Sequence, residues 1–261
     1  MITSRKNPLV QKARSAREGR ERELIFVEGL RLCEEAAAAR LAFEFVLYDP
    51  LLEDDERAAR LLGTLRAVCP QVMPAGRDVI ESASDTKTSQ GVVAVARRPH
   101  NLPEKSPTGT PLVVVMHRVN NPSNAGAMLR VAEAAGSTAV VATRGSTDLF
   151  SPKSLRGSMG SAFRLPVWAG PTLEEVLNWC ADREIRTVAA ASSARATHTE
   201  LDWTAPRALV LGPEAGGLSD EEVGRADDSV RIPMRPPVES LNVATALAVI
   251  LYEAARQRNF K

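Results

Sequence analysis

The chain has 261 residues, 44% hydrophobic and 25% charged, with a formal net charge of +1 at pH 7. That is enough sequence for two compact domains with ordinary cores, and the overall charge balance carries no footprint of nucleic-acid binding. Cys33, Cys69 and Cys180 lie far apart without C-x-x-C spacing, which indicates neither a disulfide framework nor a zinc site and leaves buried, reduced thiols as the expectation.

The chain starts MITSRKNPLVQKARSAREGRERE, with no apolar segment of the signal-peptide kind, and no later run approaches a membrane span. A cytoplasmic protein without membrane contact is expected. Arg5, Lys6, Lys12, Arg14, Arg17, Arg20 and Arg22 face only Glu18 and Glu21 over the first 22 residues, a distribution that suits a phosphate backbone and equally a solvated helix face. From Leu24 strand-like and helix-like pieces alternate: LIFVEG at 24–29, a helix over 30–40, FEFVLYD at 43–49, a charged helix over 53–68, a short strand over 71–73, a helix over 77–84 and GVVAVARR at 91–98. Residues 1–98 thus read as a small α/β domain. The polar, proline-rich stretch 99–111 reads as a linker. Residues 112–261 read as a second domain, in which LVVVM at 112–116, AVVAT at 139–143, TVAAA at 187–191, ALVLG at 208–212 and SVRI at 229–232 are short apolar runs between helical stretches. Near-continuous hydrophobic strands alternating with helices indicate a parallel sheet covered on both faces.

Three segments of the second domain carry chemistry. The first strand leads into HRVNNPSNAG without a G-x-G-x-x-G, which argues against a dinucleotide site. Asn124 is the predicted N-cap of the next helix, whose apolar stripe is Met128, Val131, Ala132 and Ala135 and whose stop is Gly136; Arg130 lies off that stripe. Read alone, Asn124 is a cap and Arg130 a solvent-facing residue. In the second segment, GPEAGGLSDEE, the Gly loop has no P-loop lysine, and the acidic helix start behind it would repel a phosphate. Ser219 and Glu222 form an S-x-x-E capping box, whereas Glu214 precedes the cap and stands in the Gly loop itself. The third segment, IPMRPPVESLNVA, offers Ile232, Met234 and Leu241 to bracket a flat ring beside Ser240 and Asn242, with Ser240 as the predicted cap of the last helix. Read alone, these are core and cap residues.

In this order and spacing, the three segments resemble the signature motifs of the SpoU (TrmH) family of the SPOUT superfamily, RNA ribose 2′-O-methyltransferases. SPKSLRGSMGSAFRLPV at 151–167 resembles a fourth family segment beside the substrate, and residues 25–36 and 88–96 resemble the family's ribosomal-protein-like N-terminal RNA-binding domain. The resemblance implies an α/β fold with a deep trefoil knot in the C-terminal domain, a homodimer formed through that domain by a final helix rich in alanine (Ala244, Ala246, Ala248, Ala254, Ala255), an RNA substrate and S-adenosylmethionine as methyl donor. Its implied catalytic residues are Arg130, Asn124, Glu214, Ser240 and Asn242. Its implied cofactor residues are Thr143, Leu211, Gly212, Glu214, Gly216, Ile232, Met234, Ser240, Leu241 and Asn242, and RNA contacts fall to Arg5, Lys6, Arg14, Lys153 and Arg156. Relatives often carry an aspartate before the motif proline, where this chain has Asn120 and Asn121.

The implied reaction needs no metal, because a sulfonium already activates the methyl group; the protein aligns the reactants and assists loss of the hydroxyl proton. Arg130 is either the proton acceptor, for which a permanently charged guanidinium is poorly suited, or the group that holds phosphate and stabilises the developing alkoxide. Ribosomal RNA is the expected substrate because the extra N-terminal domain matches relatives that act there. A transfer-RNA methyltransferase, an inactive RNA-binding protein of the same fold and a small-molecule α/β enzyme are the competing readings.

Overall fold

A computed structural model describes residues 1–99 and 109–259; residues 100–108 of the expected linker lie outside the described residues. The chain divides into two compact units, one made of Met1–Pro99 together with Phe150–Arg164, the other of the remaining described residues.

The first unit runs α1 (Pro8–Arg17), β1 (Leu24–Glu28), α2 (Leu30–Ala38), β2 (Phe43–Tyr48), α3 (Glu56–Val68), β3 (Val72–Pro74), α4 (Arg77–Ala83) and β4 (Val92–Arg97). Asn7, before Pro8, accepts from the backbone N–H of Leu9 to start α1, and Asp55 caps α3 through Ala58. A separate 3₁₀ turn at Pro50–Asp54 occupies what reads in sequence as the start of α3, because Asp49 followed by proline caps a turn of its own. The strands lie in the order β1-β4-β2-β3, with β4 antiparallel to β1 and β2 and with β3 parallel to β2. Phe26, Phe45, Leu47, Val93 and Val95 of one sheet face bury with Val10, Ala13, Val79 and Ile80 of α1 and α4.

The chain continues through β5 (Leu112–Met116), α5 (Pro122–Ala134) and β6 (Ala139–Ala142), passes through α6 (Pro152–Ser158) and α7 (Ser161–Arg164), and returns as β7 (Val167–Ala169) and α8 (Leu173–Ala181). It ends with β8 (Arg186–Ala190), β9 (Ala196–Thr197), β10 (Arg207–Leu211), α9 (Asp220–Gly224), β11 (Asp228–Arg231) and α10 (Val243–Gln257). Sequence places residues 150–164 in the C-terminal domain, but these residues cluster with the first unit. Arg156 pairs with Asp85 at 2.7 Å, Arg164 pairs with Glu35, and the Arg98 guanidinium lies 5.0 Å from the centre of the Phe150 ring.

The second unit holds a seven-stranded sheet in the order β7-β6-β5-β10-β8-β11-β9, parallel at every pairing. Val113, Val115, Val141, Ala208 and Val210 pack on one face with Val176 and Cys180 of α8, while the alternate residues Leu112, Val114 and Met116 are equally buried. Both faces are therefore covered, as a parallel sheet requires. β7 and β9, with three and two residues, are too short to show a sequence period. The helix α10 packs on α5 with Ala244, Ala254 and Ala255 buried, so the close approach expected of these alanines is used inside the chain. Among the described residues no helix is long and apolar enough to cross a membrane, and no group of three His, Cys, Asp or Glu residues could hold a metal ion.

Candidate active site

In a parallel sheet the loops leaving the strand C-terminal ends share one edge. Here that edge gathers the turn after β5, the loop after β10 and the loop between β11 and α10. Their local order differs from expectation at two caps. The N-cap of α5 is Asn121, whose side chain accepts from Ser123 N–H at 2.9 Å; Asn124 is not the cap. Pro122 explains this, since its fixed φ and missing N–H suit the first helical position and place the cap one residue earlier. Likewise Asn242, not Ser240, caps α10, accepting from Ala244 N–H at 2.9 Å and Thr245 N–H at 3.4 Å. Ser240 is exposed and has no hydrogen bond among the described residues.

Freed from capping, Asn124 links the three loops. Its Nδ2 donates to Glu214 Oε1 at 3.1 Å, and its Oδ1 accepts from Asn242 Nδ2 at 3.0 Å. Glu214 also accepts from the backbone N–H of Asn120 at 3.2 Å and of Asn121 at 3.1 Å. Both amide orientations follow from the ends of this chain: the carboxylate only accepts, the α10 N–H groups only donate, and each amide must pass the polarity along. Partial burial pulls the Glu214 carboxyl up, but the hydrogen bonds from Asn124, Asn120 and Asn121 outweigh it and hold the group below its ordinary value.

The loop after β10 doubles back so tightly that a Cβ on Gly212 would lie 2.5 Å from the Gly217 carbonyl carbon and the Leu218 nitrogen. Gly216 and Gly217 have φ of 83° and 66°, and a Cβ on either would meet nothing within 4 Å, so one side of the loop backbone is open. Leu211, buried at the end of β10, accepts from His117 N–H at 2.8 Å.

Beside this loop stands a second cluster, of which sequence reasoning named Thr143 as a cofactor residue but missed His117, Arg118 and the bonds that join them. His117, 6% exposed, contacts Glu222 Oε1 through Nε2 at 3.0 Å and Thr143 Oγ1 through Nδ1 at 3.0 Å. Burial lowers the His117 pKa against the opposing pull of Glu222, so the ring is neutral; facing a carboxylate, Nε2 carries the proton, and the Thr143 hydroxyl donates to Nδ1. Thr143 in turn accepts from Arg118 N–H at 3.2 Å, and the Arg118 guanidinium also pairs with Glu222. For Glu222 the sequence signal was the S-x-x-E of the α9 capping box, which is formed and accounts for only part of what Glu222 does.

The other expected residues are spread more widely. Ile232 and Met234 are half-buried and Leu241 is 38% exposed. Arg130 is exposed and makes no hydrogen bond or ion pair among the described residues; six helical positions put it about 9 Å along α5 from Asn124. In the first unit Arg14 is committed elsewhere: its Nε donates to Ser82 O at 3.0 Å while Arg17 donates to Ala83 and Ser84 carbonyls, so the two arginines cap the C-terminus of α4. Lys12 pairs with Glu44 and Arg5 with Asp78 at 3.6 Å, leaving Lys6 exposed, as is Lys153 of α6. Arg156 is held by Asp85. Much of the basic N-terminal run is therefore structural.

Comparisons with known proteins identify the family. The SpoU rRNA Methylase family matches residues 111–252 and the MRM3-like substrate binding domain matches residues 7–94. An uncharacterised tRNA/rRNA methyltransferase of Synechocystis is 32% identical over 98% of this chain and 94% of its own length. The 23S rRNA (uridine(2479)-2′-O)-methyltransferase of Streptomyces viridochromogenes is 33% identical over 82% of this chain and 76% of its own length. The solved SpoU methyltransferase AviRb of the same organism, in complex with AdoMet, superposes with a TM-score of 0.88 at 29% identity, covering 97% of this chain and 99% of that one. The chain belongs to the SpoU rRNA methylase family and is an RNA methyltransferase with a substrate-binding domain ahead of its methylase domain.

Proposed function

We propose that the protein transfers a methyl group from S-adenosylmethionine to a ribose 2′-hydroxyl of ribosomal RNA, with the C-terminal edge of the second unit as its active site. The observation that carries this reading is the hydrogen-bonded chain Glu214–Asn124–Asn242, which joins all three motif loops through side chains, of which only Asn242 also caps a helix. The residues fit the donor. The open backbone at Gly216 and Gly217 offers polar groups to a flat ring, Ile232, Met234 and Leu241 offer apolar surface, and Glu214, whose partners among the described residues are all neutral amides, gives the loop a negative charge that suits a cation. Relatives described as 23S rRNA 2′-O-methyltransferases and as AdoMet-bound support the same assignment.

When bound, S-adenosylmethionine supplies an electrophilic methyl; the 2′-oxygen forms the new bond as the carbon–sulfur bond breaks. Asn124 and Glu214 fix the turn and loop on either side of the reacting groups. Arg130, with no partner among the described residues, is free to hold an RNA phosphate and to stabilise the oxygen as its proton passes to water or through Ser240. Exposed Lys6 and Lys153 serve RNA binding on the first unit.

A trefoil knot, a cytoplasmic location and a homodimer belong to the same reading. The dimer is supported by a partly exposed stripe on α10 that includes Thr245, Val249 and the 54% exposed Tyr252. Incubation of the purified protein with methyl-labelled S-adenosylmethionine and separate pools of ribosomal and transfer RNA tests the function. Label on ribose in ribosomal RNA is expected. Label only in transfer RNA overturns the substrate, and label in neither overturns the reading. Light scattering tests the dimer, which a monomer at micromolar concentration would contradict.

A further inference from the structure

Arg118 has φ of 54°, the left-handed region in which an arginine is uncommon and a glycine at ease. Such backbone persists where the surroundings hold it, and here they are specific: Arg118 N–H donates to Thr143, and its guanidinium reaches Glu222. Glu222 is a junction of three elements. It accepts from Ser219 N–H at 2.9 Å within the α9 capping box, from His117 Nε2 at the end of β5, and from Arg118. Glu214, eight residues earlier, is fastened to Asn120, Asn121 and Asn124 of the same β5–α5 turn. The loop after β10 is thus fixed to residues 117–124 at two points by two carboxylates, and Gly216 and Gly217 lie between them.

We propose that His117 and Arg118 are positioning residues for the methyl donor: by gripping Glu222 they hold the distal end of the 212–222 loop, so that its glycine backbone is already shaped for the cofactor. The strained backbone at Arg118 is what directs its side chain to Glu222 across the end of the sheet. This inference rests on the assignment of that loop to S-adenosylmethionine. Among the described residues no member of the clamp bonds to Arg130, so it governs donor affinity and leaves saturated turnover largely alone.

Arg118→Gly separates this role from a purely structural one, because it removes the grip while relieving the backbone. Expected is a chain at least as resistant to urea as the wild type, with S-adenosylmethionine Kd and KM raised about tenfold, the scale of a partly exposed charge-assisted hydrogen bond, and kcat changed far less. Arg118→Lys, which keeps a cation facing Glu222, should recover part of the affinity. Glu222→Gln, whose single side-chain oxygen can serve His117 and Arg118 or Ser219 but not both sides, should weaken binding less than Glu222→Ala. Calorimetry with S-adenosylmethionine on the full chain reads all of these. If the wild type binds and Arg118→Gly binds equally well, the clamp is overturned. If affinity falls only together with urea resistance, the role is structural and the proposal is overturned. A wild type that does not bind at all overturns the functional reading beneath it.

Discussion

Asn124→Asp changes one atom of the motif junction and inverts one bond. The aspartate keeps an oxygen for Asn242 Nδ2, but where Asn124 Nδ2 donates to Glu214 at 3.1 Å it presents a second carboxylate oxygen. Two unit charges 4 Å apart repel by about 1 kcal/mol in bulk water and about 4 kcal/mol at the effective dielectric of a protein surface. These side chains are partly exposed, so the cost falls within that span. If the closed junction is the cofactor-binding state, S-adenosylmethionine affinity at pH 8 should fall roughly tenfold to a thousandfold, more than in Asn124→Ala, which loses hydrogen bonds worth about 0.5–1.5 kcal/mol each. The same repulsion raises the pKa of the pair, so a proton shared between the carboxylates restores a donor as pH falls. Calorimetry from pH 5.5 to 8.5, as a ratio to wild type at each pH, should show the deficit of Asn124→Asp narrowing as pH falls while that of Asn124→Ala stays flat. An Asn124→Asp variant that binds like wild type, or matches Asn124→Ala at every pH, would refute the junction.

Arg130→Ala should lose on the order of 10²-fold in single-turnover methylation, the range for removal of one oxyanion-stabilising donor, while cofactor affinity survives. Arg130→Lys should retain appreciable activity if charge is what matters, and should fail alongside alanine if the forked geometry accepts the proton. The pH dependence of stability has a definite sign. His117 is depressed by burial, and Glu214 and Glu222 by hydrogen bonds that outweigh burial, so over each interval the unfolded chain binds more protons than the native one. Their contributions are whole above the unfolded values of about 6.5 and 4.3 and are lost as pH falls below them. Urea midpoints should therefore drop between pH 7.5 and 5.5 more steeply for wild type than for His117→Gln, and equal slopes would contradict the His117 assignment. Burial pushes the Cys33 and Cys180 thiols up to about 12 and raises Cys69 as well, so thiol reagents at pH 8 should label none of the three until the chain unfolds; stoichiometric labelling of the native protein would show the burial to be wrong.

Apolar runs made the major strands legible: LVVVM, AVVAT and ALVLG are short, contain β-branched valine and are buried along their strands, as a parallel sheet covered on both faces requires. The participants of the junction were legible too, because Asn124, Glu214 and Asn242 stand in recognisable motifs. Their local roles were not. Asn124 and Ser240 resemble caps by residue type, but Pro122 moves one cap to Asn121, and the α10 cap falls to Asn242, two residues after Ser240. The basic run at the N-terminus misled for a related reason, since charge is visible in sequence but the α4 carbonyls that engage Arg14 and Arg17 are 66–68 residues away. The same distance hid the Glu222 clamp, whose partners His117 and Arg118 lie 104–105 residues before it.

The most direct measurement of the central claim is a mass-spectrometric map of 2′-O-methylated nucleotides in RNA from cells with the gene, cells without it, and cells complemented with wild type or Arg130→Ala. The account predicts that one ribose methylation in ribosomal RNA disappears with the gene, returns with the wild type and does not return with Arg130→Ala. Identical ribosomal RNA maps with and without the gene would contradict it.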